Sequence, residues 1–251
     1  VTRHAPALLS FGGRLQLAYT GTTAHAYVLS STNGVDWSAQ TQLHGGAISG
    51  PTLGVRDNAL HCAYAALGAG IWVNWSKNAT SWTNSGQIPH ARSVLTPAMV
   101  TRRGMIQMAY RDADNGNVAF MTAGDSGWST PTHGPDTLDS PALAVRGDTL
   151  YCAIRRDDDK IWISESSGGW SRHFVPVPGV TSTYSAPALA AVDTNDRTSS
   201  TEPDPTSRPG CVVRASGRSP PEVPAAPNTK SGPLSTGPPP GIFIHTVINA
   251  P

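Results

Sequence analysis

Pro141-Ala142-Leu143-Ala144-Val145-Arg146-Gly147-Asp148-Thr149-Leu150-Tyr151-Cys152-Ala153 reads as two short apolar runs joined by a tight turn. The first run, Ala142 to Val145, is small and apolar, as a strand buried on both faces would be. Gly147-Asp148 tolerates the positive φ that a two-residue turn demands. The same phrase returns as Pro6-Ala7-Leu8, Pro51-Thr52-Leu53 and Pro97-Ala98-Met99, with a fifth start at Pro187-Ala188-Leu189. The prolines are 45, 46, 44 and 46 residues apart, the self-similarity of a modular array. From each of the first four prolines to the start of the second run (Leu15, Leu60, Ile106, Leu150) is always nine residues, so the backbone path is constant.

The rest of the module follows the same rhythm. In the second run Leu15, Leu17 and Tyr19 point one way and Gln16 and Ala18 the other, the period of a half-buried strand. A third strand begins at Ala26-Tyr27-Val28, Ile71-Trp72-Val73, Val118-Ala119-Phe120 and Ile161-Trp162-Ile163. A Gly/Asn/Ser turn follows, then a Trp that is expected to open a fourth strand: Trp37, Trp82, Trp128 and Trp170. One Trp per copy at one position is read as a wedge between neighbouring modules. Four antiparallel strands per repeat without a helical pattern give an all-β fold, a β-propeller of four-stranded antiparallel blades, with four complete modules and a partial fifth.

Residues 1–193 are assigned to the propeller and 194–251 to a Pro/Ser/Thr-rich tail. Twelve of the 22 prolines follow residue 200, which opposes ladder hydrogen bonding there. The fifth copy accordingly is expected to lose its second strand, while Gly241 to Ile248 reads as a lone terminal strand. Cys62 and Cys152 replace Leu17 and Met108 at one buried strand position two modules apart, so no bridge between them is expected. Charged residues are 14% of the chain and the net charge is +1, which excludes a basic nucleic-acid-binding surface. No run reaches the roughly 18 apolar residues of a membrane-inserted helix. The chain starts at Val1 without a leader pattern and reads as a mature form or a fragment. Two glycosylation sequons, Asn74-Trp75-Ser76 and Asn78-Ala79-Thr80, are read as chance occurrences.

Alternating strand direction places the loops between strands two and three at the same end as the connections between modules. That end collects Arg111, Asp112, Asp114, Arg155, Arg156 and Asp157 from one loop class and His44, His90 and His133 from the other. Variable loops on a rigid scaffold are where binding resides. Tyr27, Trp72 and Trp162 share one module position near this end and offer rings on which a sugar could stack, with inter-blade packing as the competing reading. The candidate ligand-binding set is therefore Tyr27, Trp72, Trp162, His44, His90, His133, Arg111 and Arg155. Histidines spread once per blade do not converge as metal ligands must, and Asp112 to Asn117 lacks the spacing of a calcium loop. No metal and no cofactor is expected.

Ser30-Ser31-Thr32-Asn33-Gly34-Val35-Asp36-Trp37 resembles the Asp-box turn of sialidase-type propellers, with Ser30, Gly34 and Trp37 matching and Thr32 in the acidic position. The wider repeat, Pro141 through Ala153 to Trp170-Ser171, is similar to secreted propellers of actinobacteria and fungi, a group that includes lectins and proteins of the dispase autolysis-inducing type. The resemblance covers residues 5–192 and implies an extracellular propeller. It would also imply an arginine triad, a Tyr–Glu nucleophile and an acidic catalyst, but the Arg-Ile-Pro motif is missing. The glutamates, Glu165, Glu202 and Glu222, form no readable paired-carboxylate arrangement. The expectation is a multivalent, non-catalytic, lectin-like glycan binder and not an enzyme. Two alternatives stand beside it. One is a protein-interaction propeller acting on a secreted protease or serving as a cross-linking substrate through Gln40, Gln42 or Gln87. The other is an inactive sialidase-like fragment.

Overall fold

A computed structural model describes residues 4–180 and 182–191, together with the backbone of 212–215. Blade one comprises β1 (Ala7–Phe11), β2 (Arg14–Thr20), β3 (His25–Ser31) and β4 (Thr41–Gly46). Blade two repeats the meander with β5 (Thr52–Arg56), β6 (Ala59–Ala65), β7 (Gly70–Ser76) and β8 (Thr83–Arg92). Each forms an antiparallel sheet in chain order. The registers coincide: Leu8 faces Leu17, and Leu53 faces Cys62.

Blade three has β9 (Ala98–Arg102), β10 (Met105–Arg111) and β11 (Asn117–Gly124), but its outer edge is divided into β12 (Gly127–Trp128) and β13 (Thr132–Asp136). Both pieces pair with β11. Pro131, which has no N–H to give the ladder, lies at the break. Blade four has β14 (Ala142–Arg146), β15 (Thr149–Arg155), β16 (Ile161–Ser166) and the short β17 (Val175–Pro176). Trp82 opens the long fourth strand of blade two, directly before β8, and Trp128 lies in β12, whereas in blades one and four the outer strand starts well after the Trp, at Thr41 and Val175.

The fifth copy differs from the sequence expectation. β18 (Pro187–Ala190) does find a second strand, β19 (Val212–Ala215), paired from Pro187↔Ala215 to Ala190↔Val212. The two-residue turn of the other blades is replaced here by residues 191–211. A local spacing rule could not find β19, because its partner lies beyond a Pro-rich excursion. The strand read at Gly241 to Ile248 and the rest of the tail lie outside the described residues.

The inner strands β1, β5, β9, β14 and β18 pack against one another in chain order, as blades around one axis must. Three apolar clusters seal the blade interfaces. The first joins Ala18, Ala26 and Val28 to Leu53, Cys62 and Tyr64, with Trp82 packed against it. The second joins Val73 and Ile88 to Ile106, Met108 and Tyr110, with Trp128. The third joins Ala109 and Phe120 to Leu150, Cys152 and Ile154, with Trp170. Trp82, Trp128 and Trp170 thus occupy the wedge position. Cys62 and Cys152 are free and buried, and burial pushes both thiols up.

The hairpin that resembles an Asp-box is built on a different residue from the one the motif singles out. Asn33, not Thr32, closes it: its Oδ1 accepts from the backbone N–H of Val35 and Asp36 at 2.9 and 2.8 Å, and Gly34 follows with φ of 75°. Blade two repeats this with Asn78, whose Oδ1 accepts from Thr80 and Ser81 at 3.0 and 2.8 Å. Asn74 of the first sequon is 0% exposed and donates to the hydroxyl of Tyr64 at 2.8 Å, so the folded chain does not offer it for glycosylation.

Candidate active site at the junction of blades three and four

One end of the propeller, called here the loop face, carries the β2–β3-type loops and the connections between blades. Backbone hydrogen bonds lock each loop to the connection that follows it: Ala47 to Ala24 (2.8 Å), Ser93 to Ala69 (2.7 Å), Thr137 to Gly116 (3.0 Å) and Thr183 to Asp159 (2.7 Å). In three connections the same residue also folds its hydroxyl onto the carbonyl two positions on, Ser93 to Leu95, Thr137 to Asp139 and Thr183 to Ser185. The loop face is therefore a fixed surface.

The eight residues singled out from the sequence separate into two groups on this surface. His44 and His90 are exposed, and it is their carbonyls that serve, accepting from the hydroxyls of Tyr64 and Tyr110 on the next blade. Tyr27 stacks on Tyr19 with centroids 5.5 Å apart, and its hydroxyl meets Thr23 and Gln42. Trp72 packs against the cluster between blades one and two, so the packing reading holds for it. The three aromatics lie on separate blades and make no common platform.

Arg111, His133, Arg155 and Trp162 belong to one neighbourhood. Arg111 ends β10 and Arg155 ends β15, the same module position. Arg111 Nε donates to the Thr137 carbonyl at 2.7 Å, and the Thr137 hydroxyl donates to the Arg155 carbonyl at 3.2 Å. The Arg155 side chain, 13% exposed, is held between Asp139 at 2.7 Å and Asp159 at 2.6 Å. Arg156 lies 4.9 Å over the Trp162 ring and pairs with Asp136 at 2.8 Å. Its Nε is buried and without a hydrogen-bond partner. Trp162 donates in turn to the Asp158 carboxylate at 3.2 Å.

The most enclosed carboxylate of the group is Asp112, in the loop after β10. Its side chain is 10% exposed and accepts from His133 Nε2 at 2.7 Å, while the imidazole itself is 36% exposed. Asp112 Oδ1 also takes the N–H of Asp114, and Asn115 donates to Oδ2, so the loop is a hairpin that orients one acid. Asp136 is the second acid of the same blade. Asp112 donates its backbone N–H to Asn117, and Asn117 is the register partner of Asp136. The two backbones thus flank β11, two strand spacings or about 9–10 Å apart. Sequence reasoning had Asp112 only as loop content and passed over Asp136, Asp139, Asp158 and Asp159. Their density between 136 and 159 was the available signal, since a solvated rim needs no such clustering.

No protein-family model matches the chain, and no curated protein matches it. Solved structures of similar shape do. An α-L-arabinofuranosidase of Clostridium thermocellum is 15% identical with a TM-score of 0.51, over 74% of this chain and 77% of that one. A family 43 glycoside hydrolase of Xanthomonas citri is 12% identical with a TM-score of 0.53, over 75% and 80%. AofleA of Arthrobotrys oligospora is 13% identical with a TM-score of 0.55, over 68% and 56%. At these identities the likeness is one of fold, and it is a propeller likeness. It overturns the expectation of a non-catalytic, lectin-like protein and the conclusion that the chain is not an enzyme, because this architecture is one that glycoside hydrolases use. Missing motifs argued against catalysis in the linear sequence, but the fold brings acids together that no linear motif joins. The reading as a protease-binding or cross-linked propeller gains no support.

Proposed function

We propose that this chain is an extracellular, carbohydrate-active propeller that hydrolyses a glycosidic bond, with its chemistry at the junction of blades three and four. The observation that carries this reading is the enclosed Asp112 carboxylate bonded to His133, with Asp136 across β11. Glycoside hydrolysis requires two acid–base groups on opposite sides of the scissile bond, separated by about 6.5–9.5 Å where a water must fit between them. In this reading the Asp112–His133 pair delivers a proton to the leaving oxygen. Asp136, ion-paired with Arg156, draws a proton from the attacking water. Trp162, braced on one side by Arg156, holds the sugar by its apolar face. The substrate class is a glycan with pentose units, on the likeness to an arabinofuranosidase and to enzymes bound to xylose and xylotriose.

The test is turnover of nitrophenyl arabinofuranoside and xyloside, and of arabinan and xylan, by the purified chain. Asp112→Asn, Asp136→Asn and His133→Gln are each expected to lower kcat by about 10²–10⁴-fold without changing circular dichroism. A folded protein that leaves all four substrates intact, or variants as active as the parent, would defeat the proposal.

A further inference from the structure

In a ring every blade lies between two others, yet one face of blade one stands open among the described residues. The module position of Leu8, opposite Leu17, is filled by Leu53, Met99 and Leu143 in the later copies. Those three are 5%, 6% and 8% exposed, whereas Leu8 is 45% exposed. The second strand shows the same contrast. Leu15, Leu17 and Tyr19 are partly exposed. Their copies, Leu60, Cys62 and Tyr64 in blade two and Ile106, Met108 and Tyr110 in blade three, are buried against the blade before them. Hydrogen bonding repeats the pattern. The hydroxyls of Tyr64 and Tyr110 donate to the His44 and His90 carbonyls of the preceding blade, while that of Tyr19 turns to Gln40 of its own. Leu8, Leu15, Leu17 and Tyr19 are thus one half of a blade interface.

The blade that meets this face in a ring is the fifth, to which β18 and β19 contribute two strands. In blades one to three the third strand lays an apolar pair on the next blade: Ala26 and Val28, Ile71 and Val73, Val118 and Phe120. Tyr27, Trp72 or Ala119 stands inside that pair, and blade four has Ile161-Trp162-Ile163. Gly241-Ile242-Phe243-Ile244 repeats the phrase, most nearly as Gly70-Ile71-Trp72-Val73 has it in blade two. After Ala215 it is the one place where three large apolar residues stand together, and residues 241–248 hold no proline to oppose a ladder. Ile242, Ile244 and Ile248 would share one strand face and Phe243 and Val247 the other, as in a strand covered on both sides. The 26 residues from Ala215 to Gly241 reach up to roughly 90 Å, far beyond the breadth of a blade.

We propose that residues 242–248 form the third strand of blade five and cover Leu8, Leu15, Leu17 and Tyr19 of blade one, closing the ring. The inference is independent of the hydrolytic reading. Limited chymotrypsin digestion of the full chain, read by mass spectrometry, tests it at the bond after Phe243. That bond is expected to resist cleavage in the parent. Leu8→Asp, which sets a charge under the strand, should speed its cleavage about ten-fold or more. Phe120, 1% exposed, is the internal control and should stay uncut in both proteins. Where Leu8→Asp cuts at Phe120 as well, the variant is unfolding and a second measurement decides. Leu17→Cys places at this position the residue that Cys62 and Cys152 already are in blades two and four. Maleimide should label it slowly in the full chain, and about ten-fold faster once Ile242→Asp and Ile244→Asp are added. Prompt cutting after Phe243 in the folded parent, or a Leu17→Cys labelling rate indifferent to Ile242→Asp and Ile244→Asp, would overturn the assignment. So would protection that fades on dilution, the mark of a second copy on this face.

Discussion

Gly50 sits where three blade starts meet, and replacing it with alanine tests the axial arrangement directly. A Cβ at this position would lie 2.7 Å from the Ala5 carbonyl oxygen, 2.9 Å from Thr96 Oγ1 and 3.3 Å from His4 Cβ. The Thr96 hydroxyl also accepts the Gly50 N–H at 3.0 Å, so moving it aside breaks a bond between blades. Overpacking of this kind costs about 1–3 kcal/mol, and the reduced freedom of the unfolded chain returns about 0.4–1 kcal/mol. The expected net loss is about 1–2 kcal/mol. For a domain of this size that lowers Tm by about 2–8 °C. Gly168→Ala makes the same chemical change where nothing lies within 4 Å, and should leave Tm nearly unchanged. The assay is thermal unfolding by circular dichroism on parent and both variants, checked by urea titration. Equal Tm for Gly50→Ala and the parent would refute the claim that His4, Gly50 and Thr96 converge at a shared axis.

His61 has its pKa lowered from about 6.5, first by burial and then by Arg56. The unfolded chain therefore binds the proton more readily, so this contribution to stability is present in full above about pH 6.5 and is lost as pH falls below it through the lower folded value. His61→Gln should flatten the dependence of the urea midpoint on pH between 5 and 7.5 relative to the parent; an unchanged slope would count against a half-buried, neutral His61. Cys62 and Cys152, enclosed and far from thiolate form, should resist a thiol reagent in the native protein and react in denaturant, and a reductant should leave Tm where it was. Rapid native labelling of either would contradict the blade interfaces as described. Asn78→Ala removes the acceptor for Thr80 and Ser81 and should destabilise by about 1 kcal/mol in urea unfolding, and Asn33→Ala by a similar amount in blade one. A neutral result for both would mean that the hairpins stand without their Asx turns.

The blades were legible because everything needed to recognise them is local. Proline-led starts, a constant nine-residue step and alternation with period two lie within one repeat of chain. The wedge role of Trp82, Trp128 and Trp170 followed from their recurrence and agrees with the clusters they pack against. Local reading failed where the repeat is interrupted. The strand at Val212–Ala215 pairs with Pro187–Ala190 across an excursion with no counterpart in other copies, and blade three divides its outer edge at Pro131. It also misjudged the histidines: three at equivalent spacing were treated alike, yet only His133 has its ring against a carboxylate.

Sequence alone determined the class of architecture, the number of full modules and the end of the molecule that bears the polar loops, because periodicity and strand alternation are properties of neighbouring residues. Tertiary structure alone decided that Asp112 meets His133, that Arg156 covers Trp162 beside Asp136, and that Arg102 draws away the carbonyls near Trp170. These partners stand as far as 66 residues apart, and the meetings of Arg156 with Asp136 and of Arg102 with the Gly168 hairpin depend on how blade four is rotated against blade three. That rotation is set by the summed packing of the apolar wedges, which no single repeat contains.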